Sequence, residues 1–115
     1  MKAKYLVLLA GLVCGLLIEA TRASAAETSV ICTPTGVATF SGRIHIRCAQ
    51  SSSGVFYFAY GSSDSAGAAR YMSMATSALI SGRNVRIFYD PGDQSGASIG
   101  CRTNDCRLLR GLEIY

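Results

Sequence analysis

A chain of 115 residues with a formal charge of +4 and half of its residues hydrophobic fits one small domain. A surplus this slight does not by itself call for nucleic acid or an anionic lipid surface as partner.

Lys2 and Lys4 make a positive start, Tyr5 to Ile18 form an apolar run broken only by glycine, and Ala23-Ser24-Ala25 supplies small residues. This is the layout of a secretory signal peptide. The run of 14 residues falls short of the roughly 20 that span a bilayer, and no later stretch makes up the difference. Acylation at Cys14 is the rival reading, but Gly11-Leu12-Val13 is a poor context for it and Ala23-Ser24-Ala25 would go unused. The expectation is a leader over residues 1–25, then residues 26–115 as one exported domain without a transmembrane segment, secreted or periplasmic. Removing the leader takes eleven basic residues to eight and seven acidic residues to six, a net charge of +2. Every remaining basic residue is arginine.

Cleavage also removes Cys14 and leaves Cys32, Cys48, Cys101 and Cys106, an even set in a compartment that permits oxidation. Three pairings are open, and Cys101–Cys106 as a local ring with Cys32–Cys48 across a hairpin is favoured. In the loop-entropy picture these bridges contribute about 2 and about 3 kcal/mol. A thiolate zinc site suits a cytosolic chain better, and catalytic redox pairs are usually spaced Cys-x-x-Cys.

Val30 to Phe40, broken by Pro34 and Gly36, predicts a first strand with an irregular start. Arg43-Ile44-His45-Ile46-Arg47-Cys48 alternates without exception, so a second strand buries one face and wets the other. Val55 to Tyr60 predicts a third strand with apolar groups on both faces. Ser63 or Asp64 caps a helix over Ala66 to Ser81, in which Ala68, Met72, Ala75 and Leu79 recur at helical spacing, and Gly82 ends it. A fourth strand through Val85 to Tyr89 stops at Pro91-Gly92, Gln94 to Gly100 is flexible by composition, and Leu108 to Ile114 closes the chain as a final strand. The order β-β-β-α-β-β is that of the five-stranded OB barrel: mainly β, with one helix between strands three and four.

Chemistry is sparse. Gly96-Ala97-Ser98-Ile99-Gly100 matches a hydrolase nucleophile elbow, yet a cysteine loop follows it and the single histidine, His45, lies upstream. No carboxylate pair has a spacing that argues for glycosidase chemistry, and no phosphate loop or dinucleotide fingerprint stands out, so no catalytic, cofactor or metal residue is assigned. Arg43, His45 and Arg47 share the wet face of the second strand, where a solvated surface is the plain expectation; with Tyr57 they would make a stacking and charged platform for single-stranded nucleic acid. Most of the tyrosines and phenylalanines on the strands are expected to pack in the core, and any left exposed beside serines and Asp64 or Asp90 would suit sugar recognition, in which a ring stacks on a pyranose face.

From the helix onward, Arg70-Tyr71-Met72-Ser73-Met74-Ala75-Thr76-Ser77-Ala78-Leu79, the break at Gly82, Val85-Arg86-Ile87-Phe88-Tyr89 with Asp90-Pro91-Gly92, and Cys101-x4-Cys106 combine in one order. This half of the domain resembles the small OB-fold B subunits of pentameric AB-type bacterial toxins, the subtilase-cytotoxin and pertussis-toxin-like group. The resemblance implies an exported, non-catalytic subunit that binds host-cell glycans, assembles as a homopentamer and delivers a separate enzymatic A subunit, with no cofactor. Ser41, in the stretch TFSGR, is a loose counterpart of a family serine. The expected ligand-binding residues are therefore Ser41, Arg43, His45, Arg47 and Tyr57. Two rival expectations stand beside this one: a secreted or periplasmic protein-interaction module without a toxin partner, and, less favoured, a single-stranded nucleic-acid binder.

Overall fold

The computed structural model describes residues 26–115, so the expected leader lies outside the described residues. Four strands come first: β1 (Thr28–Cys32), β2 (Pro34–Phe40), β3 (Arg43–Ser52) and β4 (Val55–Gly61). Then follow α1 (Ser65–Ser81), β5 (Val85–Tyr89), a 3₁₀ helix (Ser95–Ile99), β6 (Cys106–Leu108) and β7 (Gly111–Ile114). One sheet runs β2-β3-β4-β6 and the other β1-β5-β7. All pairs are antiparallel except β4 with β6.

The domain is thus mainly β with one α-helix, but two of the five expected strands are each split in two. Val30 to Phe40 divides at Thr33, and its halves enter different sheets. Pro34 has no N–H to give a ladder, and the register of β2 on β3 shifts between Pro34 and Gly36. The last strand starts earlier than expected, at Cys106, and breaks at Leu109 and Arg110. There the Leu109 N–H donates to Ala59 O at 2.8 Å on β4, and the Arg110 N–H to Phe88 O at 2.9 Å on β5. One peptide step thereby passes the chain from sheet to sheet. The sheets remain two separately hydrogen-bonded layers and are not closed into one ladder.

Between the layers, Ile46, Phe58, Val85, Ile87 and Leu109 form the core together with the Cys32–Cys48 bridge. The alternation on β3 holds: Ile44, Ile46 and Cys48 are buried, and Arg43, His45 and Arg47 are not. The bridge ties the end of β1 to β3, one sheet to the other, with Cα atoms 5.2 Å apart. Helix α1 is capped by Asp64, whose carboxylate accepts from the Gly67 N–H at 3.1 Å, and ends at Gly82 in the left-handed region, φ 66°. Its buried side is Gly67, Ala68, Ala75 and Ala78, and such small residues let the backbone lie close to the strands.

Gln94 to Gly100, expected to be flexible, holds the 3₁₀ helix instead. Gly96 is buried there, and a Cβ on it would come within 2.9 Å of Cys101 Cβ and of Leu108 Cδ2. Close packing, not mobility, requires that glycine. Cys101 pairs with Cys106, so all four cysteines of the described chain are consumed in disulfides.

Candidate functional site

The outward face of β3 and β4 carries the most concentrated chemistry among the described residues. Pleating sends Arg43, His45 and Arg47 outward, and the register sets Tyr57 opposite Arg47. The Cys101–Cys106 ring folds over the same face. Asp105 O accepts from the Phe56 and Tyr57 N–H groups at 2.9 and 3.1 Å, and the paired cysteines pack on Ala59 with Tyr57 and Leu108 beside them. This explains why β4 is apolar on both sides: Phe58 faces the core and Ala59 lies under the ring.

Arg43 joins the parts. Its Nε donates to His45 Nε2 at 2.8 Å, its Nη1 donates to Ile99 O at 2.9 Å, and its guanidinium lies 4.5 Å from the Phe40 ring centroid. The approach depends on Gly100, which takes a φ of 90° and whose Cβ, if it had one, would stand 2.6 Å from Arg43 Nη1. Gly100→Ala is expected to lower stability by about 1–2 kcal/mol from backbone strain alone and to dislodge Arg43. A melt, and the Arg43 Nε–H resonance, check the two effects separately.

His45 accepts at Nε2, so its neutral form carries the proton on Nδ1. Burial pushes its pKa below the ordinary 6.5, the Arg43 charge pushes it further the same way, and Asp105 opposes both. An unfolded histidine takes up a proton around pH 6.5, whereas the folded one resists until the pH is lower. Within that interval the unfolded state binds more protons, so stability falls as pH falls. It is complete above about pH 6.5, and protonation sets a new N–H against that of Arg43. Urea unfolding followed from neutral to acid pH should show this decline, and His45→Gln should flatten it.

Phe40, His45 and Tyr57 form a row of rings with successive centroids 5.4 and 6.1 Å apart. Two open hollows flank the row. One, of about 200 Å³, is lined by Arg43, Arg102, Asp105 and Gly100, and the other, of about 290 Å³, by Val37, Phe40 and Arg47; His45 and Tyr57 line both.

No family model, curated protein or solved structure matches this chain.

Four of the five expected ligand residues, Arg43, His45, Arg47 and Tyr57, therefore meet on one face of the chain. Ser41 does not join them: it sits in the exposed turn between β2 and β3 and lines neither hollow. The structure adds Phe40, 48% exposed, together with Arg102 and Asp105 from the disulfide ring. Arg43 is committed to protein partners and acts as an anchor. Arg47 gives its Nε to Thr35 Oγ1 at 3.0 Å and is exposed beyond that bond, as is Arg102. These two guanidinium groups supply the donors and positive charge that a ligand can reach. The arrangement can stack a ring and pair with acceptors. Ser98, the serine of the G-x-S-x-G stretch, gives its hydroxyl proton to Ser95 O at 3.1 Å on the 3₁₀ helix, which is not a strand-to-helix elbow.

Proposed function

We propose that the chain is an exported, non-catalytic binding protein of the toxin B-subunit type, and that it holds a host-cell glycan on the outward face of β3 and β4. The observation that carries the reading is the Phe40, His45 and Tyr57 row between two shallow hollows, with Arg47 and Arg102 at its sides. Rings stack on the C–H face of a pyranose, and guanidinium groups and Asp105 bond its polar edge. The two sheets exchange the chain near Thr33 and at Leu109-Arg110, pair β4 with β6 in parallel and carry the helix between β4 and β5. We read this as an OB barrel whose long first and last strands bend at the corners. Two disulfides in so small a domain favour an oxidising compartment. No helix of the described residues is long and apolar enough to cross a membrane. The ring of five copies and the A subunit enter this reading through the sequence resemblance.

Glycan-array screening of the oxidised protein, with light scattering, tests it. Binding is expected to weaken several-fold in Phe40→Ala and in Arg47→Gln, with scattering reporting a five-copy mass. A clean monomer that retains no sugar overturns it. A protein-interaction module is the second reading, in which the exposed apolar side chains Ile31, Phe56 and Ile80, at 36, 40 and 82% exposure, would supply the contacts. It predicts that Phe56→Ser and Ile80→Ser abolish capture of a protein partner and leave the array silent throughout.

A further inference from the structure

A third hollow, of about 360 Å³, opens between the start of α1 and the 3₁₀ helix. The segment Ile99-Gly100 is the wall it shares with the arginine-lined hollow, since Ile99 lines one and Gly100 the other. Its chemistry is the reverse of its neighbour's. Leu108, Leu109 and Ile99 give it an aliphatic side, and Tyr60, Ser63, Asp64, Ser95 and Ser98 give it a polar one. Among the described residues, no arginine lines it.

The polar side is held in place before any ligand arrives. Asp64 Oδ2 accepts from the Tyr60 hydroxyl at 2.6 Å, and Oδ1 accepts from the Gly67 N–H at 3.1 Å. Those two bonds hold its carboxyl below the usual carboxylate range, so it stays ionised. A carboxylate offers about four acceptor positions, of which two remain for a ligand. The Tyr60 ring is itself braced edge-on by Tyr71, centroids 4.8 Å apart. Ser98 has given its proton to Ser95 O and keeps its acceptor lone pairs.

We infer that this hollow is a second carbohydrate subsite, specific for a neutral sugar: Asp64 accepts two ring hydroxyls, Tyr60 and the serines bond the others, and Leu108, Leu109 and Ile99 cover the C–H face. The fixed negative charge excludes carboxylated or sulfated sugars, which the arginine-lined face prefers. Only the class of ligand rests on the proposed function above, because the residues are separate.

The full chain, recovered oxidised, is titrated with methyl glycosides of neutral hexoses while backbone amides are followed by NMR. Shifts are expected at residues 60–65 and 95–99. Asp64→Asn, which keeps an acceptor for the Gly67 N–H, should weaken binding about tenfold with helix content unchanged. Ser98→Leu, which fills the mouth, should abolish it. Three results overturn the subsite: silent amides at tens of millimolar glycoside, shifts confined to residues 43–57, or undiminished binding in Ser98→Leu. Acidic oligosaccharides titrated in parallel report on the arginine-lined face. Silence at residues 43–57 toward both the neutral glycosides and the acidic oligosaccharides, beside shifts here, sinks the earlier proposal alone, and the reverse sinks this one alone.

Discussion

Phe58→Ala is expected to remove about 4 kcal/mol of folding free energy, within the range for deleting a buried aromatic ring. Phe58 is 1% exposed, pairs in register with Ile46 on β3, and meets Tyr89 of β5 edge-on with centroids 5.0 Å apart. The contact crosses from one sheet to the other, so the ring is a joint between layers as well as a filler. Neighbours relax poorly into the void. Tyr89 is pinned by its hydroxyl, which donates to Ser52 Oγ at 3.1 Å, and cannot swing inward without giving up that bond. Domains of this size are stable by about 5–15 kcal/mol, so the variant should sit near its unfolding midpoint in mild urea. Phe58→Leu, which keeps most of the volume, should lose only about 1 kcal/mol. Urea unfolding by circular dichroism checks both, and a loss below about 1 kcal/mol in the alanine variant would refute the joint.

Legibility in the sequence followed the range of the forces involved. The alternation of β3 and the Gly82 end of α1 are local, set by pleat period and cap chemistry, and are readable residue by residue, while the N-cap is narrowed to Ser63 or Asp64, of which the structure uses Asp64. The corners were not. Whether Leu109 and Arg110 continue one strand or change sheets depends on where their N–H groups find acceptors, and Ala59 O and Phe88 O lie far away in sequence. Composition misled at Gln94 to Gly100, because glycine and serine mark both mobile loops and tightly packed ones, and only Cys101 and Leu108 against Gly96 decide between them.

The site divides the same way. Arg43, His45 and Arg47 followed from alternation alone, whereas Arg102 and Asp105 reach the face only because the Cys101–Cys106 ring folds back onto β4. Two apolar faces on Val55 to Tyr60 were the trace of that contact in the sequence. Ser41 came from the resemblance and not from strand geometry, and it stands apart from the hollows.

Joint replacement of Cys32 and Cys48 by alanine is expected to lower stability by about 3 kcal/mol, the second large effect. The bridge closes a loop with a sequence separation of 16, and its loss restores that loop's freedom to the unfolded chain. Both residues are buried, at 0 and 4% exposure, so alanine also leaves unfilled volume where β1 meets β3, and the variant should lose somewhat more than reduction of this bridge alone. The Cys101–Cys106 ring, with a separation of 5, should contribute about 2 kcal/mol, and its removal should be felt first at the arginine-lined hollow. There the Asp105 carbonyl would loosen from the Phe56 and Tyr57 N–H groups, and the proposed glycan binding would weaken before the fold does. The bridges sit on different parts of the chain, so their effects should add, and a reducing agent should remove about 5 kcal/mol from the intact protein. Urea midpoints of the two paired variants and of the reduced protein check the sum. A domain that loses so much on reduction is marginal in a reducing cytosol, which is the physical argument for export. Equal urea midpoints for the oxidised and reduced protein would remove that argument and leave the glycan reading to stand on its binding face alone.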